Sequence, residues 1–250
     1  MKTINHWHRA SRSAARALLV TIVMTCGSAV PSHASGQVAE GRTCQATLLA
    51  ATRDDGLVLD IGSDCVLHVR ARDEASVGRL ALPRPDAKKR RLRRVIAMPD
   101  LLIVLTSHPG RLEVYDLPHV APIPIIGNVA LRVPVDAAVH GAGVGHATLF
   151  VVDNAEPRSV LMTDEPCDGA RLLRFRLDRH RSSRRDVVVA RALQQLDGDG
   201  YWGAERQRLE SVELDGEELR VSVAEDGQRY SAFLTLDGVL LERERIPNRP

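Results

Sequence analysis

The sequence predicts an all-β protein, a propeller-like array of four-stranded antiparallel meanders, with a β-sandwich or barrel as the alternative. Three observations carry this. Asp215-Gly216, Asp226-Gly227 and Asp237-Gly238 recur every eleven residues, and Asp-Gly supplies the positive φ that tight hairpin turns require. Between these turns apolar and polar residues alternate, as in Leu219, Val221 and Val223 against Arg220 and Ser222, which places one face of a strand on a core and the other in water. Finally, the chain contains about fifteen or sixteen short apolar runs, against about four to six strands in an ordinary sheet. A single flat sheet cannot hold them, so the strands divide among blades or packed layers.

At the front, Lys2, Arg9, Arg12 and Arg16 precede an uncharged apolar stretch from Ala17 to Val30, and Ser32-His33-Ala34 offers small residues for cleavage. The pattern is that of an export signal over residues 1–34, shorter than the about 20 apolar residues of a spanning helix. The expectation is therefore a single all-β domain over 35–250, periplasmic or secreted, with no transmembrane segment once the signal is removed. Removing the signal takes four of the 34 basic residues and none of the 32 acidic ones. The remainder has a formal charge of −2, which excludes a globally basic protein.

Cys44–Ala50, Leu57–Ile61 and Cys65–Ala71 form the first apolar runs, punctuated by Asp55-Gly56 and Gly62-Ser63-Asp64. In an oxidising compartment Cys44 and Cys65, on consecutive candidate strands, are the natural disulfide, leaving Cys167 odd. A proline-marked loop and the basic block Lys88–Arg94 lead into Val95–Met98, Leu101–Thr106 and Arg111–Leu117. The last of these ends in Tyr115-Asp116-Leu117, a run that resembles blade endings of propeller proteins in style of fold only. Asn128–Val133 resumes extended structure, followed by a glycine-rich loop, Gly141 to Gly145. Ala147–Val152 pairs with Arg158–Met162. Arg171–Asp178 alternates cleanly, and Asp186–Ala192 is a further strand, although Val189–Leu196 also fits a short helix. Leu209–Leu214, Leu219–Ala224, Tyr230–Leu236 and Val239–Arg245 complete a four-stranded meander over 209–245.

No cofactor is implied, and motifs for catalysis are weak. His140-Gly141-Ala142-Gly143-Val144-Gly145-His146 resembles the glycine-rich oxyanion loops of some esterases, but the chain lacks their Gly-x-Ser-x-Gly nucleophile turn. Asp136, His140, His146 and Asp153 are the candidate metal ligands. They would serve a propeller-type hydrolase or lactonase with a divalent metal, the alternative function. Asp197-Gly198-Asp199-Gly200 resembles a calcium loop, yet Arg206 falls where such a loop needs its last carboxylate.

The strongest charge feature is Lys88, Lys89, Arg90, Arg91, Arg93 and Arg94, six cations in seven residues. Such runs are solvated faces or contacts for polyanions. With export, the available polyanions lie in the envelope, and the absence of interleaved aromatics argues against single-stranded nucleic acid. The expected function is an exported, non-catalytic binding or scaffold protein of a bacterial-type envelope that recognises an anionic glycan or a partner protein through those six cations. A second basic set, Arg171, Arg174, Arg176, Arg179, Arg181, Arg184 and Arg185, is interrupted by Asp178 and Asp186 and reads as solvated surface.

Overall fold

A computed structural model of the chain describes residues 57–71, 76–84, 90–127, 129–154, 170–196 and 207–247, and the backbone of 48–50. All belong to the compact unit Gly41–Pro250. The described residues form strands and turns without a helix. In chain order, β1 (Leu48–Ala50) precedes a meander of β2 (Leu57–Ile61), β3 (Val66–Ala71) and β4 (Ser76–Ala81). A second meander runs through β5 (Arg91–Ala97), β6 (Leu101–Ser107), β7 (Arg111–Asp116) and the two-residue β8 (Pro122–Ile123). After β9 (Ile125–Ile126) come the long β10 (Val133–Gly143), β11 (His146–Asn154), β12 (Arg171–Arg181) and β13 (Asp186–Leu196). The chain ends in β14 (Gln207–Asp215), β15 (Glu218–Glu225), β16 (Gln228–Thr235) and β17 (Leu240–Ile246).

These strands make four separate sheets, and the described strands do not close into a barrel. Their orders are β2-β3-β4, β1-β5-β6-β7-β8, β10-β11-β12-β13-β9 and β14-β15-β16-β17. Sequential neighbours pair antiparallel throughout. The two parallel pairings are additions at sheet edges, β1 on β5 and β9 on β13. The all-β class is thus observed.

Packing explains which strands alternate in sequence and which do not. Every residue of β6 is buried. Leu101, Ile103 and Leu105 point into a core shared with Leu149, Val151 and Leu177 of the third sheet, while Leu102 and Val104 point into a core shared with Leu67 and Val69 of the first. β11 is divided in the same way: Leu149 and Val151 face the second sheet, and Phe150 and Val152 face Leu209, Val212 and Val221 of the fourth. The four sheets therefore stack in chain order through three cores. Both faces of β6 and of β11 are covered, so these strands read as continuous apolar runs. At about 1.5–3 kcal/mol for each fully buried Leu, Val or Phe side chain, these cores supply the main stabilisation.

The last sheet has one covered face, and β15 keeps strict alternation in its burial. Its three Asp-Gly pairs, equally spaced in sequence, make different turns. Gly216 has φ 64 and opens its turn directly after Asp215, whereas Asp226 and Gly227 both have positive φ, 48 and 77, the two-residue type I′ geometry. Around Gly238 the loop is wider, and the Val239 amide donates to the Thr235 hydroxyl at 3.1 Å.

Several expectations are corrected. Arg91–Arg94 are not loop but the first half of β5. His140–Gly143 are the end of β10, and only Val144 and Gly145 turn between it and β11. Val189–Leu196 is strand to its end, held by pairing of Leu196 with Leu172, so the helical alternative is overridden by the sheet. The Asn128–Val133 run becomes strand at Val133. Arg158–Met162, Cys167, Asp197–Gly200, Lys88 and Lys89 lie outside the described residues.

Candidate binding surface

β5, β10 and β14, from three different sheets, meet at one carboxylate. Asp136 of β10 pairs with the Arg94 guanidinium of β5 and accepts from the Val212 amide of β14 at 3.0 Å. Burial pushes the Asp136 carboxyl upward, against the opposing pull of Arg94 and of the Val212 and Ala137 amides. Nearby, the Asn154 side chain donates to the Leu209 carbonyl at 2.8 Å and accepts from the Leu209 amide at 3.2 Å. It takes the place of a ladder partner where Glu210 bulges out of the β14–β15 pairing. Since Val133 pairs with Asn154, β10 and β14 advance in the same direction, with Leu209 near the start of both and Val212 beside Asp136.

The other metal candidates do not converge on that point. Asp153 is fully buried and accepts from Arg171 Nε and Nη2 at 3.0 and 2.5 Å and from the Arg132 amide at 3.0 Å. His140 pairs across the ladder with Thr148, four residues up β10 from Asp136, roughly 13 Å at the rise of a strand. His146 is exposed at the start of β11, its Nδ1 3.2 Å from the Val144 carbonyl oxygen. Among the described residues no three His, Cys, Asp or Glu side chains gather as a metal site. Both carboxylates are occupied by guanidinium groups.

Within the basic block Arg90, Arg93 and Arg94 each have an internal partner. Arg90 pairs with Glu113, which also accepts from the Tyr115 hydroxyl at 3.0 Å. Burial, and then the Glu113 charge, push the Tyr115 phenol up to about 12. Arg94 is consumed by Asp136. Arg93 is the extra residue of a bulge between Leu92 and Arg94, so its side chain leaves the regular alternation. Its Nε donates to the Ser107 hydroxyl at 2.8 Å, and burial, with the positive charges of Arg91 and Arg208, pulls its guanidinium down. Arg208 lies one residue before Leu209 at the start of β14 and is exposed. It entered no sequence-derived site, because nothing in a linear pattern places it beside a residue 115 positions earlier.

The second basic set is largely neutralised within the fold. Arg171 pairs with Asp153, Arg174 with Asp237, and Arg176 with Asp178. Arg179, with a side chain only 3% exposed, pairs with Asp100, Asp116 and Asp186 at 3.2, 2.5 and 2.5 Å. Arg181 joins through Asp116 at 2.7 Å. The hydrogen bonds and charge of Arg179 hold the Asp186 carboxyl below its ordinary value. Asp100 also accepts from the Gly145 amide at 2.8 Å, and the Gly145 carbonyl accepts from the Arg179 amide at 2.6 Å. The glycine-rich hairpin is thus seated on an ion-pair network that clamps the second sheet to the third.

Cys65, at φ 64 ahead of β3, is 4% exposed. Cys44 lies outside the described residues.

The described residues form an all-β stack of antiparallel sheets. No protein-family model matches the chain, and no curated protein matches it either.

Proposed function

We propose that this chain is an exported, non-catalytic binding protein of a bacterial-type envelope that recognises an anionic glycan through its basic segment, with a Cys44–Cys65 disulfide. The observation that supports the reading is Arg93, with the positive charge of Arg208 acting on it. Arg93 is partly withdrawn from water among like charges, and neither it nor Arg208 has an ion pair among the described residues. Like charge held together concentrates positive potential and attracts a polyanion. Arg90 and Arg94 drop out of the contact because Glu113 and Asp136 hold them. Lys88, Lys89 and Arg93 are the proposed contact from the six, and Arg208 joins them.

The carboxylates argue in the same direction. Acid–base catalysis needs groups free to exchange protons with a substrate. Asp136, Asp153 and the three aspartates around Arg179 are engaged by guanidinium groups. Export rests on the leader pattern, and the buried position of Cys65 at the head of β3 suits a bridge.

A propeller-like arrangement of the sheets accompanies this proposal. Asp136 of the third sheet joins β5 of the second and β14 of the fourth. A flat stack would hold those two sheets a full layer apart, at about 10 Å per sheet-to-sheet spacing. Convergence of these strands favours radial splay.

The test is retention on immobilised heparin across a salt gradient, for the protein purified from the periplasm and medium. Replacing Lys88 and Lys89 by Gln, and separately Arg93 by Gln, should move elution to lower salt, with folding checked by the thermal midpoint. Retention equal to wild type in both variants would overturn the assignment. A mass beginning at Ser35 is the expected product of export.

A further inference from the structure

We propose that the exposed face of the third sheet carries a site for a tetrahedral oxyanion, the sulfate or phosphate ester of a glycan, gripped by Arg176 of β12 and Arg191 of β13. The proposal rests on the glycan-binding function above and names the chemical group that this second surface takes.

The ladder register puts the two arginines side by side. Arg176 pairs with Arg191 across β12 and β13, and residues opposite one another in an antiparallel pair project from the same face with Cβ atoms about 4.5–5.5 Å apart. Continued across the sheet, the register aligns Thr148 of β11 with Arg176 and His140 of β10 with Thr148. These four residues form one row over four strands, roughly 14 Å long at the spacing of neighbouring strands. Two residues away on the same face, Ala138 and Phe150 belong to the core shared with the fourth sheet. The row itself opens to water: His140 and Thr148 are half-buried, and Arg176 and Arg191 are exposed.

Like charges directly opposite one another destabilise a sheet, and the nearby carboxylates offset this pair only in part. Asp178 accepts from Arg176 Nε at 3.1 Å, which leaves the terminal fork of Arg176, Nη1 and Nη2, without a partner among the described residues. Asp237 is taken by Arg174 at 2.7 Å. Arg191 has no ion pair among the described residues. Shape then selects the ligand. A carboxylate is planar, and its two oxygens suit a single guanidinium fork. A phosphate ester has three strong acceptor oxygens, and a sulfate ester has the same tetrahedral form, enough for forks from two strands and for the Thr148 hydroxyl. The anion also relieves the repulsion between the two arginines. At the far end of the row, the His140 ring offers a nitrogen to a sugar hydroxyl.

The experiment titrates inorganic sulfate and, separately, inorganic phosphate into the full-length mature protein at pH 7.5, with sodium chloride adjusted to hold ionic strength constant, and follows the thermal midpoint and the heat of binding. Wild type should show a saturable rise in midpoint and single-site heat with each anion, and neither with acetate. Arg191→Gln and, separately, Arg176→Gln should each weaken both anions about tenfold or more. Because Arg191→Gln removes one of two opposed like charges, its midpoint without added anion should equal or exceed that of wild type, which separates lost binding from lost folding. Arg229→Gln, whose partner is Glu210 on the fourth sheet, should leave the response intact, as should replacement of Lys88 and Lys89 by Gln. No saturable response in wild type, or a full response in Arg191→Gln, overturns the proposal. Retention on dextran sulfate or phosphorylated dextran against plain dextran then separates an ester carried by a glycan from the free ion. Heparin retention with no oxyanion site would leave the glycan-binding function standing and remove this inference. Oxyanion binding with no retention on heparin or on either charged dextran would remove the glycan function and keep the site as one for the free ion.

Discussion

Arg94 and Asp136 are placed where neither tolerates the loss of the other. Their side chains are 13% and 8% exposed, and a buried charge left alone costs about 3–5 kcal/mol. Arg94→Met should lower unfolding free energy in urea by about that amount. The double variant Arg94→Met with Asp136→Asn should recover a large part of it, because no unpaired charge remains. A double variant as unstable as the sum of the singles would show that the pair is not coupled. Tyr115 supplies a second check at this scale. Its phenol, pushed up to about 12 by burial and Glu113, should contribute a late step to the ultraviolet tyrosinate titration that disappears in Tyr115→Phe. Legibility in sequence was uneven among these residues. The six-cation run stood out because charge is visible in composition. That Arg94 would be consumed by Asp136 depends on contact between strands far apart in sequence, which carries no local mark.

Between elements, the network around Arg179 sets the pH response. Asp186 has its folded pKa held below the unfolded value, so its contribution is complete above the ordinary aspartate range of about 3.9. It is lost as pH falls through the depressed folded value. Thermal melts taken from pH 7 down to pH 3 should therefore show a steep acid loss in wild type. Arg179→Met should be less stable at pH 7, with three carboxylates deprived of their shared cation, and should show a shallower acid loss. Parallel pH profiles for the two proteins would refute this. The elements themselves were read best where one face meets water. β15 alternates because its sheet is covered on one side. β6 and β11, sandwiched between two cores, lose the alternation that marks a strand. The basic block was read as loop because charge usually signals solvent, yet Arg91 and Arg93 sit on a strand whose other members, Leu92 and Val95, fill the first core.

For the whole molecule, the decisive property is that its cores share strands. Phe150 belongs to the outer core while its neighbours Leu149 and Val151 belong to the central one. Phe150→Ala should cost about 3–5 kcal/mol and should lower one common transition. Circular dichroism and amide hydrogen exchange in β6 and β15 are expected to report the same midpoint. Separate midpoints for the second and fourth sheets would mean that they unfold as independent units. Sequence alone indicated all-β architecture and too many strands for one sheet, but it holds no record of which sheet faces which.

The short β9 has a consequence in time. Ile125 and Ile126 pair in parallel with Val188 and Val189, and at Gly127 the chain passes so close to the Ala190 carbonyl that a side chain there would collide with it. The second sheet is complete within residues that precede β9, whereas its partner strand lies about sixty residues further on. At a synthesis rate of about 5–20 residues per second, that is a wait of roughly 3–12 s. During it two isoleucines and an unpaired backbone edge have no native neighbour, so the newborn chain is most vulnerable to capture or misassembly there until β13 arrives.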